Sequence, residues 1–279
     1  MPLLKSAALG LTALGLSLGL AASAQADQIL PVTDLQFNTF NGTFTAPKDT
    51  FTASEPTGWS IGSVAQYSNL IFVGNQGSEG SSANGTYGVY GTFSNTVPAG
   101  YNFYQADGNP QYESTIMQTI SGLTAGVTYD LSFQQAAGQQ IGFSGPTTEQ
   151  WLVFLGAGGI GVDCPTHSTS CSVTGTHDNI EEASPLMDTP SEGNVDWNNV
   201  DLTFTPTAAD LNDGTAVLTF LAWGDGGSTV NQPPTVFLEG VNTTPVVPEP
   251  ATLSVLGVGL LGLGVVMMRR RNKPGATAA

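Results

Sequence analysis

The stretch that decides the fold is IMQTISGLTAGVTYDLSF, residues 116–133 of a 279-residue chain. Its first part predicts a β-strand that ends at Ile120, and a glycine-bounded turn separates it from a second strand. In the second strand Tyr129, Leu131 and Phe133 recur at every second position, so their side chains point to one face of a sheet. Such a strand buries that face against another layer, which predicts an all-β protein.

Similar β-branched and aromatic segments, separated by turn residues, lie on both sides of this stretch. The predicted strands are residues 68–73, 87–93, 114–120, 128–134, 150–155, 200–204, 215–222 and 235–241. Helical periodicity is nearly absent between the two ends of the chain, apart from a short turn at 207–211 before an Asn-Asp-Gly corner at 212–214. We therefore expect one β-sandwich domain over residues 27–246.

Several local motifs resemble the galactose-binding-like jelly roll found in carbohydrate-binding modules. They are NGTF at 41–44, GW at 58–59 and the stretch at 116–133. The resemblance implies a jelly-roll β-sandwich whose last strand bears paired aspartates. In VFLEGV at 236–241, which occupies that place, Gly240 replaces one of the acids. This departure weakens any inherited calcium or packing role for the pair.

The N-terminus reads as a secretory signal peptide. Lys5 precedes an apolar run over residues 7–22, and the run leads to Ala24-Gln25-Ala26, the small-residue pattern of a cleavage site. A buried helix of the mature fold would need a polar face, which this run lacks. We expect residues 1–26 to be removed, so that the exported chain begins at Asp27.

The C-terminal end predicts one transmembrane helix. Residues 251–268 carry no charge, and eighteen residues at the helical rise give a rod of roughly 27 Å, enough to cross a hydrocarbon core. Arg269, Arg270 and Arg271 follow as a membrane stop, and the positive-inside rule keeps them in the cytoplasm. The sandwich would then lie outside the membrane, and residues 274–279 form a short tail.

Pro248-Glu249-Pro250 comes directly before this apolar segment. The order of the motif, a glycine-rich apolar helix and a basic cluster over residues 247–273 resembles the PEP-CTERM sorting signal. The resemblance implies a Gram-negative, exopolysaccharide-producing host whose exosortase, a membrane cysteine protease, cuts near the motif. The product would then reach the cell surface or the extracellular matrix. An ordinary membrane anchor with a stiff proline spacer is the alternative.

Charge is distributed unevenly along the chain. Residues 27–246 contain twenty-one acidic residues against a single Lys or Arg, Lys48, for a formal charge of −20. Such a surface repels phosphate backbones, so we exclude nucleic acid as a partner. Solubility and attraction for divalent cations are favoured.

Cys164 and Cys171 bracket a six-residue segment. In an exported chain such a pair predicts a disulfide, which would contribute about 2 kcal/mol as a staple for one protrusion. A metal site built from both cysteines with His167 and His177 is the alternative, although the close-paired cysteine spacing of zinc sites is missing.

Two motifs match catalytic patterns by letter. GWSIG at 58–62 fits G-x-S-x-G, but a nucleophile elbow needs a strand before Ser60 and a helix after it. GAGGIG at 156–161 fits G-x-G-x-x-G, but the VDCP that follows it cannot open a helix for a pyrophosphate. We therefore expect no enzymatic activity. A secreted serine hydrolase using Ser60 stays the alternative, beside the simpler interpretation of a strand with Trp59 packed inside.

Residues 177–196 gather seven His, Asp and Glu side chains around two prolines. This composition predicts a long acidic surface loop. Structural calcium is the alternative, although no recognised ligand spacing is present. We expect no other cofactor and no resident metal.

A sugar-binding site needs aromatic faces for the apolar side of a sugar ring, together with amides and carboxylates for its hydroxyls. Two predicted loops offer them, with ordinary packing as the alternative for each aromatic. The first holds Tyr101, Tyr104, Asp107 and Asn109, and the second holds Trp223, Asp225 and Asn231. The sequence thus favours a non-catalytic surface or matrix protein that binds polysaccharide, with a purely structural matrix component as the other possibility.

Overall fold

The structure is a computed structural model of the chain. It describes residues 27–34, 36–40, 49–50, 56–61, 71–75, 88–91, 93–95, 102–108, 115–158, 161–163, 172–174, 179–225 and 234–241. All regular elements among these residues are β-strands. They are β1 (Gln28–Ile29), β2 (Asp49–Thr50), β3 (Trp59–Ile61), β4 (Ile71–Asn75), β5 (Asn102–Asp107), β6 (Thr115–Ser121), β7 (Tyr129–Gln139), β8 (Thr147–Gly156), β9 (Gly161–Asp163), β10 (Ser172–Thr174), β11 (Asn179–Ala183), β12 (Met187–Thr189), β13 (Asn194–Phe204), β14 (Thr215–Asp225) and β15 (Pro234–Glu239).

Two large sheets form the sandwich. The larger has the order β1-β7-β15-β5-β4-β2, with β13 also paired to β7. The smaller has the order β11-β8-β14-β6-β3, with β12 also paired to β8. Strands β9 and β10 make a separate antiparallel pair. The predicted all-β jelly-roll sandwich is confirmed.

The core lies between the sheets and follows the alternation in the sequence. Tyr129, Leu131 and Phe133 of β7 point inward and are buried, as their spacing predicts. Phe220 of β14 meets the ring of Phe133 edge-on at 5.3 Å and that of Trp151 at 6.1 Å. Edge-to-face contacts of this kind add to the stabilisation from burial, so the aromatic side chains fix the spacing of the sheets.

The first and last strands of the described chain lie along the same edge of β7. Strand β13 runs along one edge of β7, and β15 and β1 share the other edge. β15 starts beside Gln139 and ends beside Gln134, while β1 pairs with Tyr129 and Asp130. The chain therefore enters and leaves the sandwich at the Tyr129 end of β7. The Gln139 end lies on the opposite side.

Seven of the eight predicted strands coincide with observed ones, and the differences have physical causes. In the predicted strand at 87–93, the described residues make only an isolated bridge between Val89 and Gln140. The expected acidic surface loop at 177–196 is wrong for its described part, which forms β11, β12 and the start of β13. Glu181, Glu182 and Asp188 themselves pair with residues of β8, so the high charge did not signal a loop.

A β-bulge in β13 shows how side chains complete the sheet. The register of β13 against β7 shifts between Val195 and Asn198. Asn95 fills this gap, because its amide accepts the N–H of Trp197 at 2.9 Å and donates to the Trp197 carbonyl at 2.9 Å. The amide thus pairs like a strand residue, and holds the 93–95 segment over an aromatic cluster on the outer face of the larger sheet.

The two ends of the sequence lie outside the described residues. Among the described residues no helix is long and apolar enough to span a membrane. The signal peptide, the transmembrane helix at 251–268 and the tail remain predictions. The same holds for Cys164, Cys171, His167 and His177, which lie outside the described ranges.

The Cys164–Cys171 disulfide stays a prediction, because both cysteines lie outside the described residues. Asp163, the residue before Cys164, pairs directly with Ser172, the residue after Cys171. We expect Cys171→Ser to release one titratable thiol and to lower the free energy of unfolding by about 2 kcal/mol. Two reactive thiols in the unreduced wild type would contradict the bridge, and wild type in reductant serves as the control.

Candidate functional site

The structure separates the residues predicted to contact a sugar. Tyr101, Asn109 and Asn231 lie outside the described residues. Tyr104 and Asp107 belong to β5, and Trp223 and Asp225 belong to the last part of β14. The first group is therefore not a loop cluster, since a strand directs successive side chains to opposite faces.

Tyr104 is a core residue, and its prediction as a sugar contact is wrong. Its side chain is 0% exposed and points between the sheets. The ring lies 5.7 Å from that of Trp151 and 6.4 Å from that of Phe37. No face of this ring can meet a sugar without opening the sandwich. Asp107, three residues later, lies on the other face of the sheet and is also largely buried.

Trp223 occupies a different position, on the outer face of the smaller sheet. Its neighbours Ala222 and Phe220 point into the core, so Trp223 points outward, and its side chain is partly exposed. It pairs directly with Gln150 of β8, which is also partly exposed. Directly opposed side chains share a face of the sheet at about 5 Å. An indole and a primary amide therefore stand side by side on this surface.

The next pair in the register adds a hydroxyl. Thr148 pairs with Asp225, two residues beyond Gln150 and Trp223 along their strands. The alternation of a sheet places the Thr148 side chain on the same face as that of Gln150. The three side chains, which we call the Trp223 patch (Trp223, Gln150 and Thr148), combine a ring face with hydrogen-bonding groups.

Close packing beneath the patch holds it rigid. Gly224 points inward against Pro234 of the other sheet, where a Cβ at Gly224 would lie 2.6 Å from the proline Cγ and 2.9 Å from the carbonyl oxygen of Thr148. Gly108 likewise approaches the main chain of Trp223, and a Cβ there would lie 2.8 Å from its carbonyl carbon. The Gly108 amide also donates to the Pro234 carbonyl at 2.8 Å. The ends of β5, β14 and β15 are thus locked together at the Gln139 end of the sandwich.

Glu149 lies on the inner side of the same part of β8. It pairs with Gly224, is 0% exposed, and accepts a hydrogen bond at Oε1 from the Thr189 hydroxyl. Its Oε2 is buried and has no hydrogen-bond partner among the described residues. Burial raises the pKa of Glu149 to about 7, the Thr189 and Thr147 hydroxyls oppose this, and the charge of Asp188 adds to it.

Ser60 lies in an ordinary strand. It occupies the middle of β3, pairs with Met117 of β6 and is exposed, while Trp59 beside it is buried in the core. A nucleophile elbow places its serine on a sharp turn after a strand. The prediction of a strand with Trp59 packed inside is therefore confirmed at 59–61. The part of the chain that the structure describes also contains no group of three or more His, Cys, Asp or Glu residues arranged to hold a metal ion.

Sequence reasoning missed Gln150, Thr148 and Glu149. The signal was the alternation Thr147-Thr148-Glu149-Gln150-Trp151, in which polar residues precede an apolar strand. The predicted strand began at Gln150, whereas β8 begins three residues earlier, at Thr147. Four consecutive polar residues, 147–150, have the composition of a loop. They are recognisable as a strand only from their pairing with β12 and β14.

Comparison with known proteins identifies the C-terminal segment. Residues 246–271 match the PEP-CTERM protein-sorting motif. The fold and this motif define the class of the molecule, an all-β sandwich protein that is exported and anchored at its C-terminal end before processing. The predicted resemblance to PEP-CTERM proteins is confirmed. No curated protein sequence matches the chain.

Solved structures with similar sandwiches have low sequence identity to this chain. The carbohydrate-binding module TmCBM61 in complex with β-1,4-galactotriose is 11% identical with a TM-score of 0.35, and the match covers 69% of this chain and 91% of that one. The Stig cyclase Fisc from Fischerella sp. TAU is 17% identical with a TM-score of 0.40, covering 76% and 94%. The bacteriophage CBA120 tailspike protein 4 is 13% identical with a TM-score of 0.35, and the match covers 66% of this chain but only 19% of the tailspike chain.

Proposed function

We propose that this protein is a non-catalytic, polysaccharide-binding component of the cell surface or extracellular matrix, delivered there by exosortase processing. The observation that carries the binding function is the Trp223 patch. A partly exposed indole beside an amide provides a stacking face and hydrogen-bonding groups for sugar hydroxyls. The patch lies on a packed sheet, so binding would order few side chains.

The position of the patch fits a protein held at its C-terminus. Trp223 lies at the Gln139 end of the sandwich, where Gly224 packs against Pro234 at the start of β15. From there β15 runs toward the opposite end of the sandwich. A membrane anchor that continued in this direction would leave the patch facing away from the membrane and open to extracellular polymers.

Charge narrows the class of polysaccharide. The exported region carries a formal charge of −20, so uronate-rich or sulfated polymers would be repelled. Acidic residues also crowd the end where the chain enters the sandwich. There, partial burial and the charges of Asp27 and Asp201 raise the pKa of Asp130. Neutral or amino-sugar polysaccharides are the ligands that this surface would accept.

We expect Trp223→Ala to weaken polysaccharide binding at least tenfold, since stacking of a ring on an aromatic face is worth about 1 kcal/mol or more beyond the burial it brings. The measurement is calorimetry and pull-down of the full chain in detergent with the producing cell's exopolysaccharide, a neutral galactan and a glucosamine polymer. Each is tested with and without calcium. Ile29→Ala, which removes a side chain that is 40% exposed on β1 at the Tyr129 end of the sandwich, is the control.

Either of two outcomes would contradict this part of the proposal. Binding that Trp223→Ala and Ile29→Ala reduce equally would place the site elsewhere on the chain. No binding of any polymer by the wild type would favour a purely structural matrix component.

Processing has a separate test. Replacing Pro248-Glu249-Pro250 with three alanines should leave the full-length protein in the inner membrane, because the protease would no longer recognise the signal. Membrane fractionation and the mass of the product measure this outcome. A variant in which Ala276 and Ala278 in the tail become serine provides the control. Normal release of the triple-alanine variant would show that cleavage does not depend on the motif, and retention of the full-length wild type would show an ordinary anchor.

A further inference from the structure

Residues 184–193 close the Gln139 end of the sandwich, and we call them the closing segment. At its start, the Ser184 hydroxyl donates to Oε1 of the buried Gln135 at 2.6 Å and accepts the N–H of Trp151 at 2.9 Å. At its end, the Glu192 amide donates to Oε1 of Gln139 at 2.6 Å. Both ends of the segment are therefore hydrogen-bonded to glutamine side chains of β7. The first end is also hydrogen-bonded to the main chain of β8.

The middle of the closing segment has little backbone pairing, although the Met187 side chain is buried in the core. Strand β12 makes three residue pairs with β8, and no other strand pairs with it among the described residues. Its one described side-chain hydrogen bond to β8 runs from the Thr189 hydroxyl to Oε1 of Glu149. An edge strand of three residues has few backbone hydrogen bonds to lose, so it belongs to the part of a fold that opens most easily.

The carboxyl of Glu149 sits where this weak strand meets the sandwich interior. One oxygen has the Thr189 hydroxyl, and the other is buried without a partner among the described residues. A buried carboxylate oxygen without a donor is costly when the group is ionised and far less so when it is protonated. Movement of β12 away from β8 would let water reach this oxygen.

The surroundings of Glu149 provide no positive charge. Strands β7, β8, β12, β14 and β15 contain no Lys, Arg or His. The ionisable groups near it are Asp188 on β12, whose charge disfavours ionisation, and Asp225 at the next register position of β14. The facing residues of β7, Gln135 and Gln139, are uncharged, as is Pro234 of β15. Hydration is therefore the remaining way to stabilise the ionised carboxylate.

We propose that Glu149 makes the closing segment a pH-dependent flap: protonated, it keeps β12 on β8, and ionised, it favours an open form in which the carboxylate is hydrated. The inference is independent of polysaccharide binding. It follows from the burial of Glu149, its unpartnered oxygen and the short pairing of β12. Because Thr148 and Gln150 flank Glu149, opening also frees the edge of β8 beside the Trp223 patch.

Hydrogen exchange of the full chain in detergent tests the flap between pH 5 and pH 8.5, with rates corrected for intrinsic exchange. Opening couples to ionisation between the pKa of the hydrated carboxyl, about 4.5, and that of the closed form, about 7. We expect protection of amides 187–193 to fall roughly tenfold per pH unit from pH 5 to pH 7 and then to level off. Amides of β6 and β7 should stay protected.

Two variants separate a flap from a merely structural role. Glu149→Gln should show constant protection at 187–193 over the same range. Thr189→Val removes a hydrogen bond that favours the ionised form, so the fall in protection should continue to a higher pH than in the wild type. The proposal is overturned if Glu149→Gln loses protection with pH as the wild type does, if the wild type shows no pH dependence, or if β6 and β7 lose protection together with the segment.

Discussion

Replacing Glu149 with glutamine should remove about 3 kcal/mol of pH dependence from the free energy of unfolding between pH 4.5 and pH 7. The carboxyl is buried, and its pKa lies near 7 in the folded protein against about 4.5 when exposed. The folded state therefore binds more protons than the unfolded state across this interval. The contribution of Glu149 to the free energy of unfolding is therefore most favourable below pH 4.5. It falls as the pH rises and becomes constant above about pH 7.

Urea unfolding at pH 4.5, 6, 7 and 8, followed by tryptophan fluorescence, measures this difference. The difference in unfolding free energy between Glu149→Gln and the wild type should grow by about 3 kcal/mol from the lowest pH to the highest. Glu181→Gln is the matched control, because it makes the same chemical change at an exposed position on β11, which also pairs with β8. A difference that stays constant with pH would show that the folded protein holds Glu149 with an ordinary pKa.

This measurement also bears on the closing segment. If β12 opens when Glu149 ionises, the open form hydrates the carboxylate and so reduces the loss of unfolding free energy. That loss can then be no larger than the free energy needed to open β12. A loss of unfolding free energy well below 3 kcal/mol, together with local exchange at 187–193, would measure the free energy of opening. A loss of the full 3 kcal/mol without local exchange would mean that Glu149 ionises while β12 stays paired with β8.

The sequence predicted the elements whose pattern is local. Tyr129, Leu131 and Phe133 alternate on β7, and the Asn212 corner closes with mutual backbone hydrogen bonds between Asn212 and Thr215 at 2.8 and 2.9 Å. The Pro-Glu-Pro signal is also local, since its apolar segment and basic cluster follow directly. Each pattern needs only neighbouring residues to be recognised.

The residues that sequence reasoning misplaced depend on pairing with distant strands. Tyr104 lies in a Pro- and Gly-rich stretch that resembles a loop, yet β5 carries it between the sheets because β4 and β15 pair on both sides. Glu149 has no local signal for burial, because its environment comes from β12, forty residues later. Trp223 was also misplaced, since it was predicted in a loop, whereas β14 extends through it to Asp225.

Substitution of Gln118 is the second change for which we expect a large loss of stability. Its buried amide makes the two hydrogen bonds to a main chain that a neighbouring strand would otherwise make. It accepts the N–H of Thr33 at 2.7 Å and donates to the Thr33 carbonyl at 3.0 Å, so it holds the N-terminal segment against β6. We expect Gln118→Leu, which keeps the volume, to lower the free energy of unfolding by about 2–4 kcal/mol through the loss of both hydrogen bonds. Thr119→Val, at the exposed neighbouring position, should change it by less than about 0.5 kcal/mol.

Gln118→Glu separates the hydrogen bonds from packing. The carboxylate still accepts the N–H of Thr33 but cannot donate to its carbonyl, and it buries a charge in a site that is only 3% exposed. When protonated, the same side chain regains one donor. We therefore expect Gln118→Glu to be less stable than Gln118→Leu at pH 8 and to recover as the pH falls toward 4.5. If both variants lost little stability at any pH, the Trp59 indole, which donates to the Thr33 carbonyl at 3.1 Å, would suffice to hold the segment.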